Sequence, residues 1–77
     1  MDIKEKVVLS WEEVLGKEDI PENVNFFDAG GYSLLLYKLF AALKKNTGIE
    51  IPFMSLMEYT TIESMTSYLS GISAESV

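Results

Sequence analysis

Apolar residues Ile3, Val7, Val8, Trp11, Val14 and Leu15 recur at spacings of four, three and one, the pattern of a helix that buries one face. Asp2, with Glu5 three positions on, has the form of a capping box, and Gly16 ends the pattern as a C-cap, so the first helix is expected from Asp2 to Leu15. Lys4, Glu5, Glu12 and Glu13 lie on the opposite face. Adjacent helical residues point about 100° apart, so Glu12 and Glu13 read as a solvated surface, not as an acid and base pair.

No period holds from Gly16 to Tyr32. Lys17, Glu18 and Asp19 are solvating, and Ile20 before Pro21 is biased to an extended conformation. This long loop nevertheless carries Ile20, Val24, Phe26 and Phe27, bulky groups that are costly to leave in water, and it is expected to pack across the bundle. A structureless stretch of this length in a small domain generally has a function. It ends in Asp28-Ala29-Gly30-Gly31-Tyr32-Ser33, whose glycines permit positive φ and close backbone approach just before a strongly helical segment.

That segment, Ser33 to Lys45, carries a core stripe of Leu35, Leu36, Leu39, Phe40 and Leu43, and Asn46-Thr47-Gly48 is expected to stop it. Leu34, Tyr37 and Ala41 form a second stripe, and the only charges between the two faces are Lys38, Lys44 and Lys45. A helix apolar on two faces contacts something beyond its own core. Ile49 and Ile51 flank Glu50 as an extended link into Pro52, a suitable first residue for a short third helix holding Phe53, Leu56 and Met57. Thr60 with Glu63 forms a second capping box, and Ile62, Met65, Tyr68 and Leu69 at helical spacing place a fourth helix over Thr61 to Ser70. The sequence thus predicts an all-α four-helix bundle of three longer helices and a short third one, with a long loop between the first two. A single domain is expected over 1–77, folded through 1–70, with 71–77 expected to fray.

Composition narrows the chemistry. The 77 residues contain no cysteine and no histidine, which removes disulfides, thiol nucleophiles, the Ser-His and Cys-His hydrolytic arrangements and the common transition-metal ligand sets; no metal site is expected. Six lysines against 12 acidic residues give a net charge of −6, which duplex nucleic acid or an anionic bilayer would repel. A helix-turn-helix DNA binder is disfavoured on that ground and by the absence of arginine. No apolar run approaches the ~20 residues of a membrane span, and Met1-Asp2-Ile3-Lys4-Glu5 lacks the features of a signal peptide, so a cytoplasmic, monomeric protein is expected. Met1 just before the first helix and the short tail fit a free-standing protein and an excised domain equally.

Ser33 admits three readings. Its hydroxyl fits a helix N-cap, a role worth about 1 kcal/mol. As a nucleophile it lacks a histidine to activate it. As a residue modified by another protein it is well placed, because a helix N-terminus favours an attached phosphate. Gly30-Gly31 is not a nucleotide fingerprint, since no strand precedes it and no Gly-Lys-Ser/Thr follows.

Phe26-Phe27-Asp28-Ala29-Gly30-Gly31-Tyr32-Ser33-Leu34 resembles the modification motif of peptidyl and acyl carrier proteins. The resemblance covers most of the chain: Trp11-Glu12-Glu13-Val14-Leu15-Gly16, the long loop, Gly48-Ile49-Glu50-Ile51-Pro52 and Thr60-Thr61-Ile62 fall in the family's order. It implies that a phosphopantetheinyl transferase, using coenzyme A and magnesium, esterifies Ser33 with 4'-phosphopantetheine. The arm's thiol would then hold an aminoacyl, peptidyl or acyl group as a thioester for separate enzymes, leaving this chain non-catalytic. Gly31, Tyr32 and Leu34 would surround the attachment point, and Leu34, Tyr37, Lys38, Ala41, Met54 and Met57 would meet partners. Those partners would be the transferase, an adenylation or acyl-loading enzyme, and condensation, ketosynthase, thioesterase or tailoring domains. Ser33 to Thr47 holds no carboxylate, unlike the second helix of free-standing fatty-acid carriers, which points to the peptidyl carriers of nonribosomal peptide assembly, with hybrid polyketide systems as the neighbouring case.

Tyr32 departs from the His or Asp common at its position, and Asp28 matches an acidic motif position that equally suits loop capping. Leu34 packed under the loop and Tyr37 flat on the bundle are the structural alternatives to a partner face. The competing function is a small helical adaptor in which Ser33 is only a cap.

Overall fold

The computed structural model describes residues 2–75, which form four helices and no strand: α1 Ile3–Leu15, α2 Ser33–Thr47, α3 Ser55–Glu58 and α4 Ile62–Glu75. The all-α bundle expected from the sequence is the fold observed. Asp2 stands just outside α1 and caps it, its carboxylate accepting from the Glu5 amide at 2.8 Å. Gly16, at φ +67°, closes the helix by donating to the Glu12 carbonyl. Among the described residues no helix is long and apolar enough to cross a membrane.

α1 packs against both α2 and α4. Trp11 is the centre of the core: its ring meets Phe26 edge-on at 5.1 Å, and its indole N–H donates to the Met65 sulfur at 3.2 Å. Val7 from α1, Leu36, Leu39 and Leu43 from α2, Leu56 from α3 and Ile62 and Leu69 from α4 complete it, all fully or almost fully buried. Leu35 and Phe40, expected in the same stripe, are half-buried at its margin. Two polar residues, Ser10 and Ser55, enter this interior, and Ser55 shares a hydrogen bond with the Tyr68 hydroxyl at 2.8 Å. Ser10 donates to the Lys6 carbonyl at 2.8 Å and accepts from the Asn46 side chain at 2.9 Å, so a buried hydroxyl is satisfied from both sides.

That bond explains why α2 outruns its expected end at Lys45. Asn46 spends its side chain on α1, and Thr47 donates to the Leu43 carbonyl while accepting from the Ile49 amide, so both continue the helix until Gly48 turns left-handed at φ +72°. Pro52 is not the first residue of α3. The Pro52, Phe53 and Met54 carbonyls each accept from the amide three positions on, all at 3.0 Å, a tight 3₁₀ approach that becomes α-helical only at Ser55.

The cap of α4 is Thr61, not Thr60. Thr61 Oγ1 accepts from the Ser64 amide at 3.0 Å and Ser64 Oγ accepts from the Thr61 amide at 3.1 Å, so Ser64 fills the reciprocal role expected of Glu63. Thr60 instead ties the loop to the bundle, its hydroxyl accepting from the Asn25 side chain at 2.8 Å and its carbonyl from the Phe26 amide at 2.7 Å. α4 also runs through Gly71 to Glu75, beyond the expected end at Ser70 and into the segment expected to fray. A helical glycine costs only about 1 kcal/mol, and Ile72, packed against the core, offsets it. Ser76 and Val77 lie outside the described residues.

The loop crosses the bundle as its apolar content requires. Ile20 and Val24 rest against the core and Phe26 enters it, while Phe27 is the exception, 41% exposed and edge-on to Phe26 at 5.9 Å. The Glu22 carbonyl accepts from the Glu63 amide at 3.0 Å, which fixes the middle of the loop to the start of α4.

Candidate functional site

The loop ends in a tight, internally bonded turn. The amides of Ala29, Gly30 and Gly31 donate to the carbonyls of Asn25, Phe27 and Phe26 at 3.0, 3.3 and 3.0 Å, and Asn25 Oδ1 accepts from the Phe27 amide at 2.9 Å. Its two glycines answer different demands. Gly30 adopts φ +108°, which side chains rarely tolerate, whereas a Cβ on Gly31 would lie 2.3 Å from the Phe26 ring. Asp28 is exposed and makes no hydrogen bond or ion pair; the capping role it could have filled belongs to Asn25.

This turn delivers the chain to α2 with Ser33 as the first helical residue. Tyr32 is the N-cap, extended at φ −149° and ψ 177°, and no side chain caps the helix. The N-cap reading of Ser33 is therefore corrected: its hydroxyl makes no hydrogen bond and faces solvent. The first intrahelical bond runs from the Leu36 amide to the Tyr32 carbonyl at 3.0 Å, so the amides of Ser33, Leu34 and Leu35 precede it and have no acceptor in the helix. With no acidic residue in this first turn, the positive end of the helix dipole is uncompensated beside the serine.

The residues expected to face partners are open to solvent. Leu34 is 58% and Tyr37 60% exposed on α2, Met54 68% and Met57 52% exposed at α3, and Lys38 and Ala41 are exposed as well. Leu34 does not pack under the loop. One face of Tyr37 lies on Phe53, ring centroids 4.4 Å apart and nearly parallel, while the remainder of its ring meets water. That stack joins the exposed stripe of α2 to the turn carrying Met54, so the sequence-distant members of the face come from neighbouring elements. Among the lysines of α2, Lys44 pairs with Glu50 at 3.0 Å and Lys45 with Glu13 at 3.3 Å, and Lys38 has no such partner. Tyr32, also exposed, borders the serine.

Two loop-organising residues escaped the sequence reading. Lys17 Nζ donates to the Ala29 carbonyl at 2.7 Å, and Asn25 bridges the turn to Thr60. Both contacts join positions far apart in sequence and leave no local signal. Among the described residues no group of three or more His, Cys, Asp or Glu side chains could hold a metal ion.

The chain is 37% identical over 75 residues to gramicidin S synthase 2 of Brevibacillus brevis, a match covering 97% of this chain but only 2% of the synthase. In the solved structure of the phosphopantetheine transferase Sfp in complex with coenzyme A and a peptidyl carrier protein, one chain superposes with a TM-score of 0.82 at 28% identity, covering 92% of each chain. BlmI, a type-II acyl-carrier-protein from Streptomyces verticillus involved in bleomycin biosynthesis, has the same fold: its TM-score is 0.82 at 21% identity, covering 91% of this chain and 84% of that one. With residues 5–69 matching the phosphopantetheine attachment site family, the exposed serine at the head of α2 sits within that match, and the chain belongs to that family.

Proposed function

We propose that Ser33 is the residue to which 4'-phosphopantetheine is attached, and that the domain carries aminoacyl, peptidyl or acyl groups in nonribosomal peptide or hybrid polyketide synthesis. The observation that carries this reading is the state of the Ser33 hydroxyl: solvent-facing, free of hydrogen bonds, and set at a helix N-terminus with unpaired amides. Those amides fit a phosphodiester, because backbone N–H groups and the dipole both favour an anion there.

In the modification, Ser33 Oγ forms a bond to the phosphorus bearing the pantetheine and the pyrophosphate bond of coenzyme A breaks. Adenosine 3',5'-bisphosphate leaves, and the hydroxyl proton passes to a base of the transferase, since this chain holds no histidine to take it. The bound arm supplies a thiol for thioester formation. Ser33 anchors it at the tip of a rigid helix, and Leu34, Tyr37, Lys38, Ala41, Met54 and Met57 present a largely apolar face to the transferase, to an adenylation or loading enzyme, and to condensation or other downstream domains. Gly31 and Tyr32 shape the approach to the serine. A reaction consuming coenzyme A suits a cytoplasmic setting.

The test is intact mass after incubation with Sfp, coenzyme A and magnesium. Wild type should gain one phosphopantetheine and Ser33→Ala none. A folded wild-type chain that gains nothing would favour the adaptor instead.

A further inference from the structure

We propose that Lys17 is a positioning residue for the modification of Ser33, latching the glycine turn so that the serine is presented in one geometry; the proposal rests on Ser33 being the attachment point. Gly16, left-handed at φ +67°, turns the chain off the end of α1, and Lys17 follows at once. From there its ammonium reaches 12 positions along the sequence to the Ala29 carbonyl, at 2.7 Å in a part-buried setting. Hydrogen bonds with an ionised donor are the stronger kind.

The bonded carbonyl opens the run Ala29-Gly30-Gly31-Tyr32 that leads directly to Ser33. This run needs holding. Gly30 and Gly31 have more backbone freedom than other residues, and Tyr32 contributes no side-chain cap that would anchor the helix start. Three bonds restrain the turn at its C-terminal end, Gly31 amide to Phe26 carbonyl, Lys17 ammonium to Ala29 carbonyl and, longer at 3.3 Å, Gly30 amide to Phe27 carbonyl. Gly30 leaves room for the second: a Cβ there would stand 3.1 Å from Lys17 Nζ, so its lack of a side chain admits the ammonium as well as permitting its φ of +108°.

Lys17 also differs from the lysines whose partners are exposed carboxylates. Lys4, Lys44 and Lys45 each pair with a glutamate, but the Lys17 ammonium is spent on a neutral carbonyl beside the turn. A surface ion pair contributes little and is readily exchanged for water. A part-buried, charge-assisted bond to a glycine-flanked carbonyl selects one loop conformation. The exposed face of α2 and α3 contains no part of this latch, so losing it should disturb the presentation of Ser33 without disturbing docking.

The test is steady-state transfer by Sfp from coenzyme A to the full chain, comparing wild type with Lys17→Met, which keeps the stem but not the donor, and Lys17→Arg, which keeps a donor. Lys17→Met should lower kcat about fivefold at unchanged KM, and Lys17→Arg should restore most of it. Exchange of the bonded Gly30 and Gly31 amides should quicken in Lys17→Met, with circular dichroism unchanged at the assay temperature. Modification of wild type at Ser33 with Lys17→Met equally fast overturns the latch alone. A loss confined to KM, or one that Arg does not rescue and that follows thermal stability, overturns it too. A folded wild-type chain that gains no mass overturns the assignment of Ser33, and the latch with it.

Discussion

Gly31 stands so close to Phe26 that a Cβ on it would lie 2.3 Å from the ring. Phe26 has little room to retreat, because it is fully buried and its ring is in edge-on contact at 5.1 Å with Trp11, which is fully buried as well. The glycine before the serine's turn is thereby fixed by the hydrophobic core two elements away, and the functional loop and the core are one packing problem.

Glycine substitutions should therefore divide by position. Gly31→Ala is expected to destabilise by about 1–3 kcal/mol through overpacking against Phe26. Gly71→Ala should do the reverse, stabilising by about 0.5–1 kcal/mol, since Gly71 is helical and a Cβ there meets nothing within 4 Å. Urea midpoints of the two variants should bracket wild type; equal midpoints would refute the Phe26 argument.

Two hydroxyls that look alike in the sequence should behave differently. Thr61 Oγ1 accepts from the Ser64 amide and caps α4, so Thr61→Ala should cost about 1 kcal/mol. Ser33 caps nothing, and Ser33→Ala should stay within about 0.5 kcal/mol of wild type. A loss at Ser33 as large as that at Thr61, read by thermal melting, would return Ser33 to the role of a cap.

The limits of the sequence reading follow the same physics. The three longer helices were legible because Val7, Trp11, Leu36, Leu39, Met65 and Leu69 repeat at helical spacing, a signal contained in a few adjacent turns. The second stripe of α2 was legible for the same reason, and Leu34 and Tyr37 are indeed exposed. Phe26 and Phe27 could not be sorted, since a loop has no period and only the gap between Trp11 and Gly31 decides which ring is buried. The adjacent threonines hid the true cap, because Thr60 was claimed by Asn25, 35 positions away. Lys17 looks merely solvating in the sequence, because nothing local signals the carbonyl that it meets 12 positions away.

The ion pair joining α1 to the loop gives the stability a signature at high pH. Lys4 Nζ lies 2.8 Å from the Glu22 carboxylate, and the hydrogen bond to that carboxylate, followed by its charge, raises Lys4 above the ordinary lysine value of 10.5. A raised folded pKa means that the native chain holds the proton more tightly than the unfolded one. The contribution is accordingly complete below the ordinary lysine value and vanishes as pH rises through the raised one. Wild type should melt slightly above Lys4→Met near neutral pH, and the gap should close in strongly alkaline buffer; a gap that persists there would exclude the pair as its source.

The exposed face should respond to substitution through recognition more than through folding. Leu34 projects into water, so Leu34→Ala removes little buried area and should shift stability by less than about 1 kcal/mol. Tyr37→Ala also removes the stack on Phe53, worth about 0.5–1.5 kcal/mol, and should lower the melting temperature further. In transfer by Sfp, both variants should raise KM several-fold while kcat stays near wild type, because the apolar contact is lost and the Lys17-held turn is intact. Lys17→Met should show the opposite split. Docking and presentation are then separable functions of α2 and of the loop before it, and a common kinetic defect in all three variants would show that they are not.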